Sequence, residues 1–467
     1  MKSFDVIIIG GGSAGFAAAR AAVAEGASVA VIEGGEEVGG LCILRGCMPS
    51  KALLESSRRW EEAGEAGEFG LRLRRLRPDL LAIQRRKEKL VAEFAGYRRQ
   101  QLEKGRFKFL RGQARFLDSF TLEVTWGQKK QILNGKAFVI ATGSEITQVK
   151  VPGLSEAGYW TSDEALLAKK VPKRLAVLGG GVVAVELGQF FSQLGAQVTL
   201  LQRSPFLVKE YDEDVSATLR TALEEKGMVV RTKTKLRSVE KRGKNKIVWF
   251  EQGGRRHQVV VDEVLYALGR QPAVQGLELA QAGVALDGNR VAVDERMRCT
   301  APHIFAAGDV VGLWEVVHIA VLQGEVAGYN AARIAGNRIA DRRQDNRLTT
   351  TVVFTEPQIA HVGLTEKEAR DRKVDYVTAS YPFNDHGKSQ IHGTRHGFVK
   401  LLAEKKRGEI IGAQIIGPHA SELIHELIAV MRYRGTAAEL AAMPHYHPTL
   451  AEIVTYPAED IVEQLGK

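Results

Sequence analysis

The apolar positions near the N-terminus change period twice within thirty residues. Val6 to Ile9 form an uninterrupted apolar run, the pattern of a strand buried on both faces. Glycines follow at 10, 12 and 15. The alanine-rich stretch "FAAARAAVAEG" then predicts a helix, and "SVAVIE" predicts a second strand ending at Glu33. The same succession recurs in "RLAVLGGGVVAVELGQFFSQLGAQVTLLQRS": a strand, Gly179, Gly181 and Ala184, a helix and another strand. Between the two copies, leucines interleave with arginines and lysines over residues 71 to 90 and on through "LVAEFAGYRRQQLEKG". That pattern predicts amphipathic helices with a charged, solvated face. No apolar run reaches the roughly 18 residues of a membrane span. The first 27 residues faintly resemble a secretion signal, but Asp5, Arg20 and the glycines interrupt it, so a cytoplasmic protein is expected.

The doubled strand–glycine–helix–strand pattern predicts an α/β chain with two Rossmann-like dinucleotide-binding domains. Gly10 permits the tight turn, Gly12 lets backbone approach a pyrophosphate, and Gly15 lets helix and strand pack closely. The N–H groups of the following helix N-terminus, opening at Ser13 and Ala14, face the phosphates. Glu33 stands where a carboxylate accepts from ribose hydroxyls, which suits FAD or NAD. In the second copy Val182 and Val183 follow the glycines, and Gln202, Arg203 and Ser204 replace the acid. An acid there would repel a 2′-phosphate; unit charges about 4 Å apart interact by roughly 1 to 4 kcal/mol between water and a protein surface. That is up to nearly three decades of preference. Its replacement by Gln202 and Arg203, with Lys209 nearby, therefore predicts NADPH over NADH.

At 467 residues, with 45% hydrophobic and 26% charged residues, the chain is expected to form three or four globular domains. The net charge of +10 owes much to residues 71 to 90. No zinc-finger or aromatic–basic motif accompanies that charge, so a nucleic-acid partner is not expected. A binding role for the basic face, salt-dependent and insensitive to Cys42→Ser, is the alternative from another class. Only three cysteines are present, too few for a disulfide scaffold. Two of them, Cys42 and Cys47, fall in "GGLCILRGCMPSK". Cys299 is remote and lacks the spacings of a zinc site, so redox chemistry is expected and no metal. A disulfide needs Cα atoms about 4.4 to 6.8 Å apart, and a regular helix separates i and i+5 too far. The backbone is therefore expected to break between the cysteines, with Gly46 allowing the break. Pro49 suits the first turn of a new helix, which places Cys47 at a helix N-terminus. The helix end contributes at most about 2 kcal/mol, so a stable thiolate needs a further partner.

Gly39, Gly40, Cys42, Cys47, Pro49 and Lys51 together resemble the redox motif of the class I pyridine nucleotide-disulfide oxidoreductases. The resemblance continues in order through "AFVIATGS" (137–144), "YALGRQP" (266–272), "IFAAGDV" (304–310), "VVFTEPQIAHVGLTE" (352–366) and "HPTLAE" (447–452). It implies an FAD domain over 1–148, an NAD(P)H domain over 149–272, a central region over 273–345 completing the FAD site, and an α+β dimerisation domain over 346–467. It implies FAD contacts from Gly34, Gly40, Leu41, Gly46 and Lys51 besides the first glycine motif and the cysteines. Ala114, Ala141, Thr142 and Gly143 are implied from the middle of the FAD domain, and Gly308, Asp309, Val317 and His318 from the central region. Asp309 is placed to bond the ribityl chain. Gly269 and Arg270 join the NADPH set.

By the same resemblance, Cys42 meets substrate and Cys47 faces the flavin in a charge-transfer contact. Lys51 and Glu186 form an ion pair near the flavin. His447, oriented by Glu452, manages protons in the active site of the other subunit of an obligatory homodimer. His445 is read as a bystander. A small-molecule or protein-bound disulfide, a lipoyl carrier domain included, is the expected substrate. "HPTLAE" and "ASELIHELI" resemble dihydrolipoamide dehydrogenase, whereas "LLQRSPFLVKE" is closer to mercuric reductase. Mercuric reductases carry a C-terminal cysteine pair and usually a tyrosine where His447 stands here. A metal-ion reductase and an NADPH-dependent quinone or oxygen reductase are the alternative enzyme readings.

Overall fold

The computed structural model describes residues 2–74 and 76–466. They fall into two compact units: Met1–Ala52, Arg85–Gln148 and Gly269–Asp345 make one, and Leu53–Gln84, Val149–Leu268 and Asn346–Lys467 the other.

In the first unit the strands Lys108–Arg111, Val29–Glu33, Lys2–Ile9 and Lys129–Ile140 lie side by side, all parallel. Ile304–Ala306 joins the last of these in parallel, and Thr121–Trp126 joins it antiparallel. The apolar run at Val6–Ile9 is explained by burial on both faces. Val6 and Ile8 enter one core with Val29 and Val31, while Ile7 and Ile9 enter the other with Ala30 and Ile32. Ser13–Ala24 and Val317–Ala335 cover the first face. They pack backbone to backbone: a methyl group on Gly324 or Gly328 would meet the carbonyl oxygens of Ala14 or Ala18 at 2.2 and 2.1 Å. The alanines of the first helix serve this close packing.

In the second unit Val229–Arg231, Gln197–Leu201, Arg174–Leu178 and Glu263–Tyr266 form a parallel sheet in that order, the second dinucleotide fold. A three-stranded antiparallel meander spans Thr234–Val261. The C-terminal part is a five-stranded antiparallel sheet in the order Thr350–Val353, Gln358–Gly363, Ile410–Gly417, Phe398–Glu404, Tyr376–Pro382. Helices Ala420–Arg432 and Thr455–Gln464 bury Ile424, Leu427, Ala458 and Ile461 in one core with that sheet.

One expectation fails. Residues 71–79 are not helical, and Leu71, Leu73 and Leu76 are more than half exposed; Arg75 lies outside the described residues. Their leucines alternate with arginine rather than recurring at helical spacing. Pro78 also disfavours helix in the residue before it. The helix begins at Leu80, after Asp79 accepts from the Ala82 N–H at 3.0 Å, and runs to Glu103.

Candidate active site

The first glycine loop is forced by contact. A methyl group on Gly10 (φ +109°) would lie 2.2 Å from the Ala141 carbonyl oxygen, and one on Gly15 only 1.8 Å from that of Gly10. Gly12 is different: its side meets nothing in the protein closer than 3.9 Å. It stands before the Ser13–Ala24 helix, whose first turn has no side-chain cap and no acid. An open glycine backbone ahead of an uncapped helix N-terminus fits a pyrophosphate. Glu33 Oε2 accepts from the Gly11 N–H at 3.0 Å and Oε1 from Gly35 at 2.7 Å. The carboxylate is thereby locked at the strand end with lone pairs left for ribose hydroxyls. Gly11 escaped the sequence reading; any larger residue would sit 2.9 Å from Glu33 Oε2.

The redox loop rests on this glycine loop. Gly40 (φ +75°) would clash with the Gly12 Cα at 2.8 Å if it carried a side chain. A short helix, Gly40–Leu44, carries Leu41 and Cys42, breaks at Arg45 (φ −142°) and Gly46, and a second helix starts at Cys47. The break expected from the cysteine spacing is present. Gly46 lies against Leu41 and Cys42, with 3.0 Å from a would-be Cβ to the Leu41 carbonyl oxygen. The two cysteines are not joined by a disulfide and are half-buried. The Cys42 thiol is pushed far above its ordinary range, first by the hydrogen bond it donates to the Cys47 sulfur and then by burial. Cys47 stands at the positive end of its own helix, which favours a thiolate there. Arg98 is within electrostatic reach of Cys42 and lies over the Phe16 ring at 4.3 Å. Lys51 follows one turn after Cys47 on the same helix. Arg45 approaches Glu37 at 3.3 Å on the surface of the loop.

Around this loop the first unit assembles further predicted residues. Thr142 Oγ1 donates to the Ala273 carbonyl at 2.7 Å, and Gly143 accepts from the Ala273 N–H. Asp309 Oδ2 accepts from Ser144 Oγ at 2.7 Å, and Arg270 Nε donates to the same hydroxyl at 2.9 Å. Arg270 and Gly269, assigned from the sequence to the NADPH site, belong to the unit that holds Asp309. Gly308 donates its N–H to Gln323 Oε1 at 2.9 Å, while the fully buried Gln323 Nε2 has no partner among the described residues. A buried amide donor beside Asp309 fits a polar cofactor chain. Val317 and His318 open the helix that carries Gln323. Ala114 is buried in Gln113–Phe116, opposite Val124, and Gln113 donates to the Gly34 carbonyl at 2.8 Å.

The second nucleotide site repeats the first. Gly179 (φ +114°) would clash with the Ala267 carbonyl at 2.2 Å, Gly181 meets nothing within 4 Å, and Val182 begins an uncapped helix that continues through Val183. Gln202 replaces Glu33 with a different task. Its Nε2 donates to Ser204 Oγ at 2.7 Å, its Oε1 accepts from the Arg203 N–H at 3.0 Å, and Ser204 donates to Phe206 O at 2.8 Å. The amide shapes the loop, and Arg203 and Lys209 stand exposed on it. Further along the Val182–Gln193 helix, Glu186 is buried and accepts from the Phe354 N–H at 2.9 Å.

At the C-terminal end, Glu452 gathers two histidines. Its Oε2 pairs with His447 Nδ1 at 3.0 Å and its Oε1 with His386 Nε2 at 3.1 Å. His447 is mostly exposed, with its Nε2 side turned away from the carboxylate, whereas His386 is 1% exposed. Burial raises the Glu452 pKa, but the bonds to His447 and His386 outweigh it and hold the carboxyl below its usual range. His445 instead pairs with Glu426 at 2.7 Å. Nothing in the sequence around residue 386, sixty-six positions from Glu452, marks that histidine.

Two dinucleotide folds and a cysteine pair at a helix N-terminus define a redox enzyme that moves electrons between nucleotides and thiols. The chain belongs to the pyridine nucleotide-disulphide oxidoreductase family, which it matches over residues 4–324, and residues 349–458 match that family's dimerisation domain. Dihydrolipoyl dehydrogenase of Geobacillus stearothermophilus is 34% identical over 457 residues, covering 97% of this chain and 95% of that protein. Mercuric reductase of Staphylococcus aureus is 35% identical over 451 residues, covering 96% and 81%. The Cu(II) complex of the HOCl-induced flavoprotein disulfide reductase RclA from Escherichia coli superposes with a TM-score of 0.84 at 25% identity, covering 98% of this chain and 99% of that one. The protein is therefore a flavin-dependent pyridine nucleotide-disulfide oxidoreductase using FAD and NAD(P)H. No helix among the described residues is long and apolar enough to cross a membrane.

Proposed function

We propose that the protein is an NADPH-linked, dihydrolipoamide-dehydrogenase-like oxidoreductase, exchanging electrons with a small or carrier-bound disulfide in the cytoplasm. The observation that carries this reading is the geometry of the cysteine pair: the Gly40–Leu44 helix that carries Cys42 breaks at Arg45 and Gly46, and Cys47 opens the next helix, where its sulfur is hydrogen-bonded to that of Cys42. Bound FAD supplies the two-electron step between the nicotinamide and the cysteine pair. Gly10, Gly12, Gly15, Glu33 and Asp309 would hold it, with Lys51 and Glu186 near its reacting end. Gly179, Gly181, Arg203 and Lys209 would hold NADPH.

The chain's own groups then do thiol exchange. Cys42 gives its proton to the Nε2 of His447 of the partner subunit and attacks one sulfur of the substrate disulfide. The substrate S–S bond breaks, an S–S bond to Cys42 forms, and the imidazolium returns its proton to the departing thiolate. Cys47 thiolate then attacks the Cys42 sulfur of the mixed disulfide, the second substrate sulfur leaves as a thiolate that takes its proton from solvent, and the Cys42–Cys47 disulfide is restored. Glu452 fixes the Nδ1–H tautomer of His447 through its 3.0 Å bond, which leaves Nε2 as the base. In the homodimer we infer, His447 and Glu452 complete the neighbouring site, so each chain's four regions serve two centres. A third thiol for a soft metal ion is not at hand, since Cys299 is buried.

The test is turnover of lipoamide with NADPH and with NADH. Turnover with NADPH at higher kcat/KM, abolished in Cys42→Ser, supports the reading. NADPH oxidation that persists in Cys42→Ser with oxygen or a quinone as the only acceptor overturns it.

A further inference from the structure

The His447–Glu452 pair does not stand alone. Behind the carboxylate, His386 sits on the Gly387–Ile391 turn as its N-cap residue and is almost completely buried. Its Nε2 reaches Glu452 Oε1 at 3.1 Å, and its Nδ1 reaches Ser389 Oγ at 2.7 Å. Glu452 accepts only, so Nε2 carries the proton and Nδ1 accepts from the Ser389 hydroxyl. The Thr449 N–H approaches the same Oε1 at 3.4 Å. Both oxygens of Glu452 are thus engaged, one by a buried donor and one by the exposed His447. A carboxylate held at one oxygen alone can rotate; held at both, it presents Oε2 in one place. Ser389 is itself fully buried, so the far end of the chain of bonds is fixed by the fold.

We propose that His386 is a positioning residue for the proton-transfer step. Acting through Glu452, it holds the carboxylate ionised and oriented, so that His447 keeps its Nδ1–H tautomer and offers Nε2 to the thiol. This rests on the role assigned to His447 above. The other ionisable group facing His386 is Tyr456, edge-on at 5.8 Å, whose ring stacks on Tyr381. Asp385, the chain neighbour, is turned to the Tyr381 hydroxyl at 3.2 Å. Glu452 is therefore the only carboxylate bonded to His386 among the described residues.

The experiment compares His386→Leu, His386→Gln, Ser389→Ala and His447→Gln, using NADPH and lipoamide across pH 5 to 9 (about the range where imidazole and thiol ionise). His386→Leu is expected to lower kcat about tenfold with the lipoamide KM nearly unchanged. Its acid limb should move to higher pH, because a carboxylate without its buried donor protonates more readily. His386→Gln, whose amide N–H can reach Oε1, should recover most of the rate. Anaerobic reduction by NADPH should proceed at the wild-type rate in His386→Leu, His386→Gln and Ser389→Ala, because no disulfide substrate takes part. A wild-type kcat and pH profile in His386→Leu, with His447→Gln impaired, overturns this inference alone. Full lipoamide turnover in His447→Gln overturns the parent reading and this one with it. Equal rate losses in the Leu and Gln variants, tracking a lowered melting temperature, would assign His386 to stability only and overturn the proposal. Should His386→Leu not fold, Ser389→Ala decides: a shifted acid limb at unchanged melting temperature supports the relay, and an unshifted one overturns it.

Discussion

A methyl group at residue 15 has nowhere to go. It would lie 1.8 Å from the Gly10 carbonyl oxygen, inside the turn that aims the helix N-terminus. Gly15→Ala should therefore yield protein that retains little or no FAD, measured as the flavin-to-protein absorbance ratio after purification; full flavin content would contradict the account of the loop. At the second site the informative residue is Arg203. Placing an acid beside a 2′-phosphate costs roughly 1 to 4 kcal/mol. Arg203→Glu should reduce the NADPH-to-NADH ratio of kcat/KM by one to three decades, and an unchanged ratio would show that the side chain is merely solvated. Gly10, Gly12, Gly15 and Glu33 were legible in the sequence because each sits at a spacing that the phosphate turn demands. Gly11 and Gly180 were not, because the demand on them comes from the side chains of Glu33 and Gln202 folding back over the turn. Gln202 was legible as a missing charge but not as the organiser of its loop, since that depends on where Ser204 and Phe206 fall.

Elements bring together charges that are remote in sequence. Lys400, in the middle of Phe398–Glu404, is 3% exposed and meets Asp212 at 2.8 Å, Asp214 at 2.9 Å and Glu366 at 3.1 Å. Burial opposes both the Lys400 and Asp212 charges, but their hydrogen-bonded pairing outweighs it, raising the lysine and lowering the aspartate. The stabilisation from the raised lysine is present below its unfolded value of 10.5 and lost as pH rises through its folded value. Lys400→Met leaves Asp212 buried without its cation and should destabilise by about 3–5 kcal/mol, read by urea unfolding; a loss under about 1 kcal/mol would contradict the network. Glu356 shows the opposite sign. Burial, with Glu61, Glu62 and Glu55 adding and Arg58 opposing, pushes it up to about 7. A carboxyl raised in the folded state costs stability as pH climbs from about 4.5 to 7, approaching about 3 kcal/mol above that window. Glu356→Gln should thus raise the melting temperature more at pH 8 than at pH 5, and equal shifts would refute the assignment. The parallel strands and their helices were legible from periodicity. Residues 71–79 were not, because leucine alternating with arginine looks amphipathic until Pro78 and the Asp79 cap set the start of the helix at Leu80.

For the whole molecule, the ordered motifs from the redox loop to "HPTLAE" carried the class of enzyme in the sequence, and the matches over residues 4–324 and 349–458 bear that class out. Chemistry that depends on tertiary neighbours was invisible: the donor behind Glu452 is His386, and the amide beside Gly308 is Gln323. Local spacing announces loops and caps, but a buried partner arrives from another element with no signature of its own. The central claim is that electrons from NADPH come to rest on the Cys42–Cys47 pair with unequal roles for the two sulfurs. The direct measurement is anaerobic titration of the FAD-loaded protein with NADPH, recording the visible spectrum and alkylating the thiols for mass mapping. The account predicts a long-wavelength thiolate–flavin band that is absent in Cys47→Ser, with Cys42 alkylated first because Cys47 is held against the flavin. Flavin bleaching without that band, and with both cysteines still refractory to alkylation, would contradict it.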